Sequence, residues 1–466
     1  MHSKPQSTGQ LDLATLRGLV ESGDIQTVIV AFPDMYGRLL GKRYTGQYFL
    51  EAADHGMHFC DYLLASDMEM DPVPGYAYAS WDQGYSDATG VVDWSTLRQA
   101  TWLEKSALVL CDIHDETDHS QVEIAPRTIL RRQMDRAQAM GYLPMGASEL
   151  EFFIFQDSYE AAHEKSYHDL QTFGNYIEDY HIFQGTKIEG LMGAIRWHLQ
   201  ASGIPTEFSK GEWGAGQREI NIRYADFLTM ADRTIIYKQC AKEIAHQQDL
   251  SLTFMAKWDE RHAGSSMHIH CSLWDTSGER NLFAGEGESQ LGLHSAETET
   301  FRWFLGGLLA HARELALFHA PYVNSYKRYL AESFAPTGIA WSYDNRTAGF
   351  RIVGHGQSLR IESRIPGADA NPYLAFAAML AAGLDGIEKQ TEPPAMFKGD
   401  VYAASELQHV PRTLNEAIAE FERSALAREA FGDEVVEHYL HYARTEQRKF
   451  DEVVTCWERA RFFERA

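Results

Sequence analysis

The sequence predicts an α+β chain in two parts, a small mixed N-terminal domain followed by a larger one. Three observations carry this. Short β-branched and apolar runs broken by Gly and Pro fill the early chain; strands alternate with long helices beyond it; and the polar run HDETDHSQ over 114–121 lies between. The expected division is a tail over 1–15, a first domain over 16–120 and a second over 121–466.

Taken in order, LDLATLRGLVES over 11–22 has the spacing of an amphipathic helix, stopped by Gly23. The β-branched run over 26–32 reads as a strand, 33–37 as a turn, 38–44 as a second strand and 106–113 as a third. Pro126 suits the first turn of a helix that runs to Gly141. Later strands are expected over 147–155, 220–224, 252–257, 266–274, 346–353 and 358–364. Helices are expected over 187–202, 232–248, 297–318, 371–387, 413–429 and 434–460.

The 466 residues, 44% hydrophobic and 12% aromatic, suit a globular enzyme. Lys+Arg 42 against Asp+Glu 66 gives a net charge of −24, which disfavours nucleic acid and anionic membrane as partners. Five scattered cysteines without a CxxC pair point to reduced thiols and a cytoplasmic location. No run reaches the ~18 apolar residues of a membrane span.

Three distant stretches place ionisable side chains two residues apart: Glu149-Leu150-Glu151, His268-Ile269-His270 and Arg360-Ile361-Glu362-Ser363-Arg364. On a strand such residues share a face, so each stretch aims its charges one way and its apolar groups the other. GEWGAGQRE adds Glu212 and Glu219 around glycines that allow close backbone approach. A lone ExE more often pairs with arginine, but five carboxylates in one cavity would repel until some took up protons. Two divalent cations would remove most of that repulsion. Oxygen ligands with at most one imidazole suit Mg²⁺ or Mn²⁺, with His268 the expected nitrogen ligand.

Against the overall charge, Lys327, Arg328, Arg346, Arg351, Arg360 and Arg364 gather in the last third. Guanidinium forks grip carboxylate and phosphate. With two metals and no Ser-His or Cys-His nucleophile pair, this describes phosphoryl transfer, and the absence of GxxxxGK[ST] excludes a P-loop.

These blocks resemble the glutamine synthetase family in its bacterial type I form. FPDMYGRLLGKR, the ExE strand, GAGQRE, MHIHCSL, NSYKR, APT, DNRTAGFRI and RIESRIPGADANPYLA follow the family's order from about residue 20 to VTCWERARFF. The resemblance implies a β-grasp N-terminal domain and a catalytic domain with a curved antiparallel sheet flanked by helices. It implies ATP and two to three Mg²⁺ or Mn²⁺. Glu151, Glu212 and Glu219 match ligands of one metal, and Glu149, His268 and Glu362 those of the other. Glu207, Tyr224, His270, Ser272 and Arg360 match nucleotide contacts, and Arg351 a phosphate-binding arginine. Arg328 and Arg364 match groups that hold the glutamate carboxylate, with Gly264 in the glutamate loop, and Arg346 matches the arginine facing the transferred phosphoryl group. The family makes γ-glutamyl phosphate, which an amine then attacks. A dodecamer of two hexameric rings, in which one subunit's N-terminal domain completes its neighbour's site, is also implied.

Departures from the pattern bear on the amine. The flap glutamate that handles ammonium is replaced by Phe334, and the DGSS segment by HFCDYLLASDM, leaving Asp61 as a shifted candidate. Ala263-Gly264 stands for the usual Asn-Gly. A ring in place of a carboxylate favours an amine with carbon attached, since each buried CH₂ is worth roughly 0.8 kcal/mol. The expectation is a glutamate–amine ligase for a small alkyl-, hydroxyalkyl- or aromatic amine. Glu332 is a candidate proton acceptor, Tyr180 a candidate wall of the amine pocket and Tyr402 an ordinary loop residue. The alternatives are an ammonium-dependent glutamine synthetase and a family member without catalysis that serves a structural or sensing role.

Overall fold

Residues 9–466 are described by a computed structural model, and they build two sheets. The first contains β1 (Thr27–Pro33), β2 (Leu39–Thr45), β3 (Met57–Cys60), β4 (Asp87–Gln99) and β5 (Ser106–Asp115) in the order β2-β1-β5-β4-β3. β1 pairs antiparallel with β2 and parallel with β5 at the centre, and the helix Gly46–Ala52 packs against the β1–β2 hairpin. This is the β-grasp arrangement. The β1–β2 turn closes because the buried Asp34 carboxylate accepts from the backbone N–H of Tyr36 and Arg38 at 3.0 and 2.7 Å. Asn371 donates to the carbonyls of Asp34 and Met35, seating that turn on the second part of the molecule.

The second sheet contains β6 (Tyr142–Phe155), β7 (Thr206–Gly211), β8 (Gln217–Ile222), β9 (Ala225–Asp226), β10 (Ser251–Thr253), β11 (Met267–Asp275), β12 (Trp341–Tyr343), β13 (Phe350–Val353) and β14 (Arg360–Ser363). Its order is β12-β13-β14-β11-β6-β8-β7, with β9 and β10 paired to the ends of β6. Only β12 and β13 run parallel. The helices Pro126–Ala139 and Phe227–Gln247 contact β6, and Pro372–Glu388 is buried against both of them. Ser148 bonds Thr234 at 2.9 Å and the Phe152 ring meets Tyr237, so alternate residues of β6 face this helical layer. Glu149 and Glu151 therefore face the other way.

Several elements differ from expectation. The strand expected over 346–353 begins only at Phe350, and that over 252–257 is three residues, Ser251–Thr253. The single helix expected over 297–318 splits into Glu299–His311 and Ala316–His319. That over 413–429 splits at Ser424, whose hydroxyl accepts from Ala427 N–H and so caps a new helix. The helix over 434–460 ends at Asp451, and a Thr455–Glu458 capping box starts another. β4 went unread because a register shift between Asp93 and Arg98 breaks its alternation, as does Ser95 N–H donating to Asp93. The tail expected over 1–15 lies largely outside the described residues; within them Leu11 is buried and Leu13–Glu21 is helical. No helix among the described residues is long and apolar enough to cross a membrane.

Candidate active site

The sheet register builds two acidic groups side by side. Glu151 on β6 lies directly opposite Glu219 on β8, and the β7–β8 turn brings in Glu212. Gly216, at φ +80°, permits that turn. Ligand oxygens of these three lie within 4.8 Å of one another. Glu151 is held by Ser266 N–H at 2.8 Å and the Gln217 amide at 3.2 Å. The Lys210 ammonium bonds Glu212 and lies over the Tyr180 ring at 4.7 Å.

In the second group Glu149 pairs across the strands with His268, and Glu362 on β14 pairs with both His270 and Arg351. His270 Nε2 is 2.8 Å from Glu149 Oε1; His268 Nδ1 is 3.4 Å from Glu149 and 3.6 Å from Glu362. Glu149, His270 and Glu362 have ligand atoms within 4.8 Å of one another, so the structure brings His270 into the group beside the expected His268. The two imidazoles are not equivalent. Arg360 Nε donates to His270 Nδ1 at 3.1 Å, which leaves the proton on Nε2, close to Glu149 but without a hydrogen-bond partner.

Arginines close one side. Glu362 accepts from Arg364 at 2.6 Å and Arg351 at 2.7 Å, one on each oxygen. The buried Arg328 donates to the carbonyls of Ile365 and Arg364, both at 2.9 Å, and not to a carboxylate. A Cβ on Gly264 would come within 2.6 Å of the Arg328 side chain, so only glycine allows this approach.

These surroundings drive the carboxylates apart. Burial and then Glu212 push Glu151 up to about 7. Burial, Glu149 and Glu212 hold Glu219 well above its usual range. Burial also works against the charged form of Glu362, but Arg364 and the two imidazoles outweigh it and hold the carboxyl at about 2. Burial and then Arg364 depress His268 to about 4, which keeps it neutral. Buried like charges that raise one another, beside a neutral imidazole, are the donor set a divalent cation fits.

A cavity of about 510 Å³, of nucleotide size, is lined by Glu149, Glu207, Tyr224, His270, Ser272 and Arg360. Sequence reasoning missed its Asn221, which is two residues from Glu219 on β8 and therefore shares its face. Gly264, Phe334 and the arginines Arg328 and Arg364 line a smaller cavity beside Glu151. The remaining candidates lie elsewhere. Tyr180 lines a separate cavity beside Lys210, Glu332 and Arg346 are exposed on loops, and Asp61 in the first domain accepts from Ser86 N–H.

Comparison with known proteins agrees with this geometry. The model of the glutamine synthetase catalytic domain matches residues 101–462. The chain is 47% identical over 459 residues to a γ-glutamylethanolamide synthetase, GlnA4, of Streptomyces coelicolor, covering 98% of this chain and 97% of that one. It is 35% identical over 453 residues to a glutamate–isopropylamine ligase of a Pseudomonas species, covering 96% and 97%. A solved GmaS/ADP complex superposes with a TM-score of 0.83 at 28% identity, covering 96% of this chain and 99% of that one. With its ExE strand, HIH strand and arginine wall all in place, this chain belongs to the glutamine synthetase family.

Proposed function

We propose that this protein is an ATP-dependent glutamate–amine ligase. It activates the glutamate side-chain carboxyl as γ-glutamyl phosphate and joins it to a small organic amine, giving a γ-glutamyl amide, ADP and phosphate. The observation that carries the choice of amine is Phe334, an aromatic ring beside the arginine-lined cavity where handling a bare ammonium ion would call for a carboxylate. Two relatives, one named for a γ-glutamylethanolamide product and one for joining glutamate to isopropylamine, support this reading.

Glu151, Glu212 and Glu219 would hold one Mg²⁺ or Mn²⁺; Glu149, Glu362 and His268 would hold another. His270, whose Nε2 carries the proton, donates instead to a nucleotide phosphate. The cations, when bound, neutralise phosphate charge and favour transfer of the terminal phosphoryl group. Glu207, Tyr224, Ser272 and Arg360 seat ATP, and Arg351 braces Glu362 and the phosphates. Arg328 and Arg364 grip the glutamate carboxylate in bidentate fashion.

A glutamate γ-oxygen attacks the terminal phosphorus as the bond to ADP breaks, and Arg346 swings in to stabilise the charge on the transferring group. The amine nitrogen then attacks the acyl carbon, phosphate leaves, and Glu332 accepts the proton from nitrogen. Residues 16–120 act as the β-grasp domain and 121–466 as the catalytic domain. The cytoplasmic enzyme works as two stacked hexameric rings in which Asp61 and Tyr180 border amine sites between neighbouring subunits.

Phosphate release measured with ATP, glutamate and a panel of amines, with mass detection of the product, tests this. An organic amine should exceed ammonium in kcat/KM by at least about tenfold. Faster turnover with ammonium at low concentration would overturn the reading.

A further inference from the structure

Beside the acidic group that contains Glu212, the next residue along the β7–β8 turn is Trp213. Its indole meets the Phe334 ring edge-on, with ring centres 5.5 Å apart and planes at 71°. Both rings remain about half exposed, at 49% and 43%, and both line the small cavity that Arg328 and Arg364 floor. That cavity, of about 40 Å³, is lined along one side by the segment 333–335. Glu332 and Phe334 both lie at positive φ, +60° and +58°, a conformation side chains rarely adopt unless held. Two tethers hold it. Tyr402 Oη donates to the Ala335 carbonyl at 2.9 Å, and Arg364 Nη2 donates to the Phe334 carbonyl at 3.4 Å. Tyr402, ordinary by sequence, is thus joined to the segment that carries the aromatic pair.

Resting on the ligase reading above, we infer that Trp213 is the residue that, with Phe334, recognises the carbon-bearing part of the amine, and that Tyr402 positions this wall. Two aromatic surfaces next to a carboxylate-rich group favour a primary amine with a short carbon chain. The chain gains apolar contact that ammonium lacks.

The experiment compares propylamine with hydroxylamine, a nucleophile with no carbon, in the wild type, Trp213→Val, Trp213→Phe and Tyr402→Phe, with ammonium as a third arm in the wild type. Trp213→Val should lower kcat/KM about tenfold more for propylamine than for hydroxylamine. Trp213→Phe should recover most of that loss, and KM for glutamate and ATP should stay within about twofold. Tyr402→Phe should raise KM for both nucleophiles a few-fold with little change in kcat. Equal losses with the two nucleophiles in Trp213→Val would overturn the wall while leaving the ligase reading intact. A wild type that uses ammonium but no organic amine would overturn the ligase reading, and the wall with it.

Discussion

Where the first sheet meets the helices Pro126–Ala139 and Phe227–Gln247, the buried Arg127 donates to Asp93 at 2.6 Å, Asp112 at 2.5 Å and Asp232 at 3.0 Å, while Arg131 reaches Asp112 at 2.9 Å. Tyr373 adds a hydroxyl to Asp232 at 2.7 Å. Around Glu151 the carboxylates of Glu212 and Glu219 crowd as closely, with one lysine bonded to Glu212 and Arg328 near enough to act on Glu151, but among the described residues no guanidinium bonds the group. In the first group the protein supplies the cations itself, and Asp93 is held at about 2 because the nearby Arg127 outweighs its burial. In the second, Glu151 rises to about 7. A buried acid that the fold leaves unpaired is there for something the fold does not contain, whereas one already paired is part of the scaffold.

That contrast breaks most sharply at Arg127. Arg127→Met leaves the buried Asp232 without its arginine, and Asp93 and Asp112 with Arg131 alone, and should cost about 3–5 kcal/mol of stability, read by denaturant unfolding, with kcat of the folded fraction nearly unchanged. Glu219→Gln should do the reverse. Activity should fall at least about 10²-fold in a steady-state assay, while the metal-free protein melts no lower than wild type, because a neutral amide replaces an acid whose charged form the fold disfavours.

The two groups also titrate in opposite directions. Glu151, with an ordinary value of 4.5 and a folded value of about 7, contributes stability that is complete below about 4.5 and lost as pH rises through 7. Metal-free protein should therefore melt at lower temperature at pH 8 than at pH 5.5, and Mn²⁺ should reverse that slope. Asp93, lowered from 3.8 to about 2, contributes stability above 3.8 that is lost as pH falls toward 2. In Asp93→Asn the acid limb of the melting profile should flatten. The smallest effect belongs to the amine side. Phe334→Glu should shift preference toward ammonium by about 1–3 kcal/mol in kcat/KM, measured by competition between ammonium and propylamine.

Much of the site was legible because it obeys the two-residue repeat of a strand. Glu149/Glu151, His268/His270 and Glu362/Arg364 each announce a shared face, and β6, β11 and β14 then place those faces together. What the repeat cannot carry is which strands adjoin, so the pairing of Glu151 with Glu219 came from resemblance and not from spacing. Irregular backbone hid the rest. β4 is masked by its bulge at Asp93, Trp213 sits on a turn without periodicity, and Tyr402 acts through a hydroxyl on a loop far along the chain. The Arg127 group was invisible for another reason, since its members come from five separate elements and no motif joins them.

Calorimetric titration of metal-free protein with Mn²⁺ tests the account at its centre. Two sites per chain are predicted, one lost in Glu219→Gln, the other in Glu362→Gln, and both kept in a conservative change at Asp112. A single site, or two sites that survive both substitutions, would contradict it.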